Sequence, residues 1–216
     1  MGSQNPQPPP LPGDLAMRDP ALDRLLFALA DLWRAEPRPE AEATAQALVT
    51  TQIATPLRPG LPGPHDAAIR ALLGGKDPLA EATLAMVERL PWGTNPVDAQ
   101  VGLYAAIFAV AELLGPDGPI PAPDLRMGFF YQAPGTYYPL HNHDADETYV
   151  ILAGSATWTA GEDTRLRGAG EVIHHPSRLP HAFATGPEGL FAVWRWSGDI
   201  NTHSYGFTED PALGVA

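Results

Sequence analysis

Residues 139–151 read PLHNHDADETYVI and set four chemically capable side chains close together: His141, His143, Glu147 and Tyr149. In an extended segment successive side chains alternate faces, so His141 and His143 share one face. By the same parity Glu147, Tyr149 and Ile151 share one face of a following strand, and Thr148, Val150 and Leu152 take the other. A turn at residues 144–146 would bring the two sets together, with Asp144 and Asp146 read as turn residues. Two imidazoles and a carboxylate suit one divalent transition metal ion, whether Zn²⁺, Fe²⁺, Mn²⁺, Co²⁺ or Ni²⁺. A fourth ligand has to come from elsewhere, and His181, in SRLPHAF, is the best candidate because it opens a later strand. His174 and His175 precede Pro176 in an expected turn. Being adjacent they point to opposite faces, and neither is expected to be a ligand.

Composition narrows the chemistry. The chain has 216 residues, 25 acidic against 13 basic, and a formal charge of −12. Phosphate binding relies on Lys and Arg, so a nucleic-acid partner is disfavoured. There are no cysteines, which excludes disulfides and thiolate-bound metals and leaves His and carboxylate as ligands. The first fifteen residues lack the basic and apolar blocks of a signal peptide. The longest nearly apolar run, residues 101–114, is too short to span a bilayer and contains Glu112. The expectation is a cytoplasmic protein without a membrane partner.

The elements that must position these residues fall into two regions. Residues 1–18 are rich in Pro and polar side chains and are expected to form a flexible tail. From residue 19 the apolar period is helical: Leu22, Leu25, Leu26, Leu29, Leu32 and Trp33 recur on one face, with Asp19 to cap and Pro20 at the first helical position. Further helices are expected at 39–53, 64–74 and 78–90. A buried one is expected over NPVDAQVGLYAAIFAVAELLGP, residues 95–116, which is apolar nearly all round. The helical N-terminal region is thus placed at 19–116. From 117 to 216 short aromatic and β-branched segments alternate with Gly and Pro, which predicts a β-sandwich or barrel.

The spacing resembles a known family. Gly135, five residues, His141-x-His143, three residues, Glu147, six residues and Gly154 match the first motif of the cupins in full. Gly170, Pro176 and His181 match the second motif, which is departed from at Arg178, where the family has Gly, and at Thr185, where it has Asn. The resemblance implies a double-stranded β-helix, or jelly-roll barrel, preceded by the helical region, and a homodimer is compatible with it. Tyr149 two residues after the glutamate, Tyr138 three before the first histidine, and the Trp-rich AVWRWSG look like the cupin-type dimethylsulfoniopropionate lyases, the DddL, DddQ and DddW group. By that resemblance His141, His143, Glu147 and His181 would bind the metal, Tyr149 would be the base, and Tyr138 would assist.

The implied reaction makes demands that the residues can be matched against. Cleaving this small zwitterion to dimethyl sulfide and acrylate is a β-elimination. It needs a Lewis acid at the carboxylate, a base at the α-proton, and an aromatic pocket for the sulfonium. The pocket candidates are Tyr131, Tyr137, Phe183, Trp194 and Trp196, together with Tyr138. Arg126 is read as facing outward, with a carboxylate-binding role as its alternative. A metal-dependent oxygenase and a non-catalytic small-molecule-binding cupin are the competing functions. A transcription regulator is disfavoured, because residues 77–116 hold one Arg, Arg89, and no Lys.

Overall fold

The computed structural model describes residues 19–74, 77–93 and 106–213. Four helices come first: α1 (Pro20–Arg34), α2 (Pro39–Thr50), α3 (Asp66–Leu73) and α4 (Pro78–Met86). The Asp19 carboxylate accepts from the Ala21 amide at 2.8 Å, and Asp77 accepts from the Leu79 and Ala80 amides. Both satisfy amide donors that a helix start leaves unpaired, and a proline follows each cap. Leu22, Leu25, Leu26, Leu29 and Trp33 form the buried stripe of α1, which packs on α2 and α4. No described helix is long and apolar enough to cross a membrane.

The strands described are β1 (Trp92–Gly93), β2 (Phe108–Leu114), β3 (Arg126–Gln132), β4 (Tyr137–Asn142), β5 (Ala145–Ala160), β6 (Asp163–Gly168), β7 (Val172–His175), β8 (His181–Gly198) and β9 (Gly206–Phe207). They run in the order β1-β2-β3-β8-β4-β9, with β5 pairing β8, β7 and β6. Register shifts between β5 and β8 at Ile151/Ala153 and Gly154/Ala156 mark bulges that bend the long strands.

Strand parity divides the apolar residues into two cores. One joins the helices to the outer face of the sheet and contains Trp33, Met127, Phe129, Tyr131, Phe191 and Val193. The other lines the interior and contains Phe130, Tyr138, Tyr149, Trp158, Phe183, Trp194, Trp196 and Tyr205.

One expected element is replaced. Residues 108–114, read as the end of a buried helix, form β2, antiparallel to β3 from Phe108↔Gln132 to Leu114↔Met127. The start of that expected helix, at residues 95–105, lies outside the described residues. A strand covered on both faces is as uniformly apolar as a buried helix, so period alone does not separate them. Ala111 and Leu113 belong to the helix-side core while Phe108 belongs to the interior one, an alternation with period two. The sheet therefore begins at Trp92, ahead of the boundary placed at 116/117.

Candidate metal centre and active-site cavity

Three histidines reach the interior with one shared feature. Nδ1 of His141 lies 2.7 Å from the Pro139 carbonyl, Nδ1 of His143 3.1 Å from that of Ala145, and Nδ1 of His181 2.9 Å from that of Leu179. A carbonyl only accepts, so each Nδ1 carries a proton, and Nε2 is the ring nitrogen left for the cluster. His143 Nε2 and His181 Nε2 stand 3.3 and 3.2 Å from the same Glu147 oxygen, Oε2. His181 Nε2 is buried without a hydrogen-bond partner among the described residues. A cation bound among these atoms would meet the Nε2 lone pairs and the carboxylate oxygen together. The donor atoms of His143, Glu147 and His181 fall within 4.8 Å of one another, and all three residues are buried, so the group is compatible with a metal ion. His141 stands beside it. It pairs with His181 in register across β4 and β8, with ring centroids 4.1 Å apart.

Burial sets the charge state of the cluster. It pushes His141 well below the ordinary histidine range, with the neighbouring His181 adding to the effect. It also opposes ionisation of Glu147, but His143, His175 and His181 outweigh it and hold the carboxyl well below its usual value. Tyr149 is driven far above the ordinary phenol value by burial first and by the Glu147 charge second. Tyr138 shares a short hydroxyl–hydroxyl hydrogen bond with Tyr205 and stacks on His141 at 4.3 Å.

His141, His143, Glu147, Tyr149, Tyr138 and Tyr205 open on a cavity of about 250 Å³, which His181 does not line. Its wall holds Tyr138, His141, His143, Glu147 and Tyr149 together with Phe130, Trp194 and Trp196. The cross-strand rows explain the assembly: Trp196 pairs with Glu147 and with Arg126, while Trp194 pairs with Tyr149 and with Gly128. A Cβ on Gly128 would meet the Ala111 carbonyl oxygen at 2.0 Å, so only glycine allows β2 and β3 to approach here. Arg126 also lines the cavity. Its Nη1 donates at 2.7 Å to both Glu112 and Asp117, and its Nε donates to the Ile200 carbonyl. The outward placement expected for it is corrected.

The expected pocket aromatics separate. Trp194 and Trp196 line the cavity, but Tyr131, Tyr137 and Phe183 do not. Tyr131 lies one residue out of parity with Phe130 and packs in the helix-side core, 5.1 Å from the His65 ring. Tyr137 donates its hydroxyl to Asp210 at 2.7 Å. Phe183 is fully buried beneath the site, its centroid 3.8 Å from that of Trp158.

Sequence reasoning missed Phe130, Tyr205 and above all His175. His175 is not in a turn. It ends β7 opposite Glu147, with Nδ1 3.3 Å from Glu147 Oε2. The signal was available, because His175 follows the buried Ile173 by two and so shares its inward face. His174 faces the other way, toward Thr148 and Asp146.

The two departures from the second motif have local substitutes. Arg178 keeps the left-handed backbone a glycine would adopt, with φ of 65°. Its amide donates to the His143 carbonyl at 2.9 Å, and its guanidinium pairs closely with Asp144. Thr185 Oγ1 donates to the Ala133 carbonyl at 2.6 Å and accepts from the Thr136 amide at 3.0 Å, tying β8 to the turn before β4.

An N-terminal helical layer, a curled sheet and an inward His/Glu cluster define a cupin. Within that class the chain belongs to the dimethylsulfoniopropionate lyase family, whose profile matches residues 63–192. It is 31% identical over 193 residues to dimethylsulfoniopropionate lyase DddQ of Ruegeria pomeroyi, covering 87% of this chain and 94% of that one. It is 32% identical over 127 residues to the putative dimethylsulfoniopropionate lyase DddL of Cereibacter sphaeroides, covering 58% and 53%. The crystal structure of the Ruegeria pomeroyi DddQ superposes with a TM-score of 0.66 at 31% identity, over 89% of this chain and 98% of that one. A structure from work on the lyases RdDddP and RnDddQII superposes with a TM-score of 0.67 at 25% identity, over 88% and 98%.

Proposed function

We propose that this protein cleaves dimethylsulfoniopropionate to dimethyl sulfide and acrylate, with His141, His143, Glu147 and His181 holding one divalent transition metal ion. The observation that carries the reading is one cavity lined jointly by Tyr149, His141, His143, Glu147, Trp194 and Trp196. When bound, the cation supplies a Lewis acid for the substrate carboxylate and favours ionisation of a nearby phenol.

The protein side chains do the rest. Trp194, Trp196 and Phe130 receive the sulfonium, whose diffuse positive charge is attracted to aromatic faces. Indole donors fix the two tryptophans: Trp194 Nε1 donates to the Phe129 carbonyl at 3.2 Å and Trp196 Nε1 to Glu147 Oε1 at 2.7 Å. Tyr149, ionised, takes the α-proton on its phenolic oxygen. The electron pair released forms the Cα–Cβ double bond, and the Cβ–S bond breaks with its pair on sulfur, leaving neutral dimethyl sulfide. The hydrogen-bonded Tyr138–Tyr205 pair borders the same space and assists by orienting the substrate. The aromatic wall excludes water, which strengthens these charge interactions.

The test is incubation of metal-supplemented protein with dimethylsulfoniopropionate and headspace detection of dimethyl sulfide. No dimethyl sulfide above a buffer control with any of the five metals would overturn the proposal.

A further inference from the structure

We propose that Trp158 and His175 form a relay of two ring N–H groups that fixes the carboxylate of Glu147, making both of them positioning residues for the His/Glu cluster. Neither lines the cavity, so they act through Glu147 and not on substrate. The inference deepens the metal part of the proposed function.

The hydrogen-bond chemistry allows one reading. An indole nitrogen can only donate, and Trp158 Nε1 lies 2.9 Å from His175 Nε2. Nε2 must therefore be unprotonated. His175 is 1% exposed, so its two ring nitrogens depend on these protein partners. A neutral imidazole with a bare Nε2 carries its proton on Nδ1, and Nδ1 is the atom 3.3 Å from Glu147 Oε2. The opposite tautomer would set two N–H groups head to head at Trp158 and leave a lone pair facing the carboxylate. Trp158 thus selects the tautomer, and the tautomer supplies Glu147 with a donor.

The relay completes a symmetric grip. Glu147 is the register partner of His175 on β7 and of Trp196 on β8. One flanking strand donates to Oε2 and the other, through Trp196 Nε1, to Oε1. Rotation of the carboxylate is blocked from both sides. The His175 ring also stacks on His181, with centroids 4.0 Å apart and planes 21° apart, so it backs a second member of the cluster. Partners of this kind, one step removed from a ligand, set ligand orientation and typically change metal affinity by about 10–100-fold.

Two measurements test the relay without using the lyase reaction. In the metal-free full-length protein, nitrogen-15 NMR of the imidazoles should show His175 with a protonated Nδ1 and a bare Nε2, and Trp158→Phe should shift it toward the Nε2–H form. A wild-type His175 protonated at Nε2 would overturn the proposal. Zn²⁺ affinity, by competition with a chromophoric chelator, should fall about 10–100-fold in His175→Phe, which keeps a ring but removes the donor. His175→Asn, which returns an N–H at similar reach, should recover much of the loss. Trp158→Phe should weaken binding alone but add little to His175→Phe. Unchanged affinity in His175→Phe, or fully additive losses in the double variant, would also overturn it. If the wild type binds no Zn²⁺, the metal reading fails while the tautomer result still decides the relay. Absence of dimethyl sulfide release bears on neither measurement.

Discussion

Arg195, on the outward face of β8, grips Glu36 just beyond α1: its Nη2 lies 3.0 Å from both carboxylate oxygens. Each side chain is 1% exposed. The same Nη2 donates to Thr148 Oγ1 at 3.1 Å, Nη1 donates to Ser197, and the guanidinium sits 5.4 Å from the centre of the Trp33 ring. Thr148 and Arg195 are register partners. They occupy the back of the strands whose inward residues are Glu147, Tyr149, Trp194 and Trp196. The helical layer is therefore anchored directly behind the site.

Removing Glu36 leaves the Arg195 charge unpaired in the core, whereas removing Arg195 leaves Glu36 its ion pair with Arg38 at 2.9 Å. Glu36→Gln is expected to cost about 3–5 kcal/mol, and Arg195→Met less. The double replacement should cost less than the sum, since no buried charge remains. Urea denaturation followed by circular dichroism provides the check, and additive losses would show that the two residues do not share a network.

Trp194→Ala should raise KM for dimethylsulfoniopropionate about 2- to 30-fold with a smaller change in kcat, since its face contributes about 0.5–2 kcal/mol toward a cation bound both before and during reaction. Trp196→Phe is a different case. It keeps an aromatic face but loses the 2.7 Å bond to Glu147, so its expected defect is in metal affinity and kcat. Steady-state kinetics of the two variants separate these roles, and identical profiles would contradict the assignment.

How much of this was legible in the sequence depended on whether local order carried it. The helix starts at Asp19-Pro20 and Asp77-Pro78 could be read because caps are local chemistry. His141, His143 and Glu147 could be read because parity within two adjacent strands fixes their faces. For His175, parity with Ile173 offered its inward face, but its contact with Glu147 depends on β7 pairing with β5, and register between distant segments leaves no local mark. Tyr131 was expected in the pocket although its neighbour Phe130 is the one facing inward, a one-residue parity choice that β3, buried along its whole length, does not advertise. Residues 108–114 were misread for a related reason, as a doubly covered strand loses its alternation of polar and apolar side chains.

Metal-free protein should lose stability in acid through its buried neutral histidines. The folded pKa of His175 is lowered to about 3, against 6.5 for the free side chain. Between those values the unfolded chain binds the proton and the folded chain does not. Stability is fully present above about 6.5 and declines as pH falls toward about 3. His141, also lowered by burial, acts in the same direction. Urea midpoints across this window should fall, and His175→Phe should flatten the slope. A slope unchanged by that substitution would deny His175 the titration.

The proton-transfer role proposed for Tyr149 carries a pH dependence. In the metal-free cluster its phenol is held far above the ordinary value, because burial and the Glu147 charge both oppose ionisation. A phenol in that state is no base near neutrality. A bound divalent cation reverses the sign of the local field and favours the ionised form. Lyase activity of the metal-loaded enzyme should therefore rise from neutral into mildly alkaline pH as the ionised fraction grows. Exchanging the metal should displace that rise along the pH axis, because each ion perturbs the phenol differently. Activity retained with redox-inert Zn²⁺ would also set aside the oxygenase alternative. Tyr149→Phe should lose about 10²–10⁴-fold in kcat while keeping metal stoichiometry and the urea midpoint, since it removes one oxygen from an otherwise aromatic contact set. Dimethyl sulfide release by Tyr149→Phe at close to the wild-type kcat would take the base role from Tyr149 and pass it to the Tyr138–Tyr205 pair, whose hydroxyls border the same cavity.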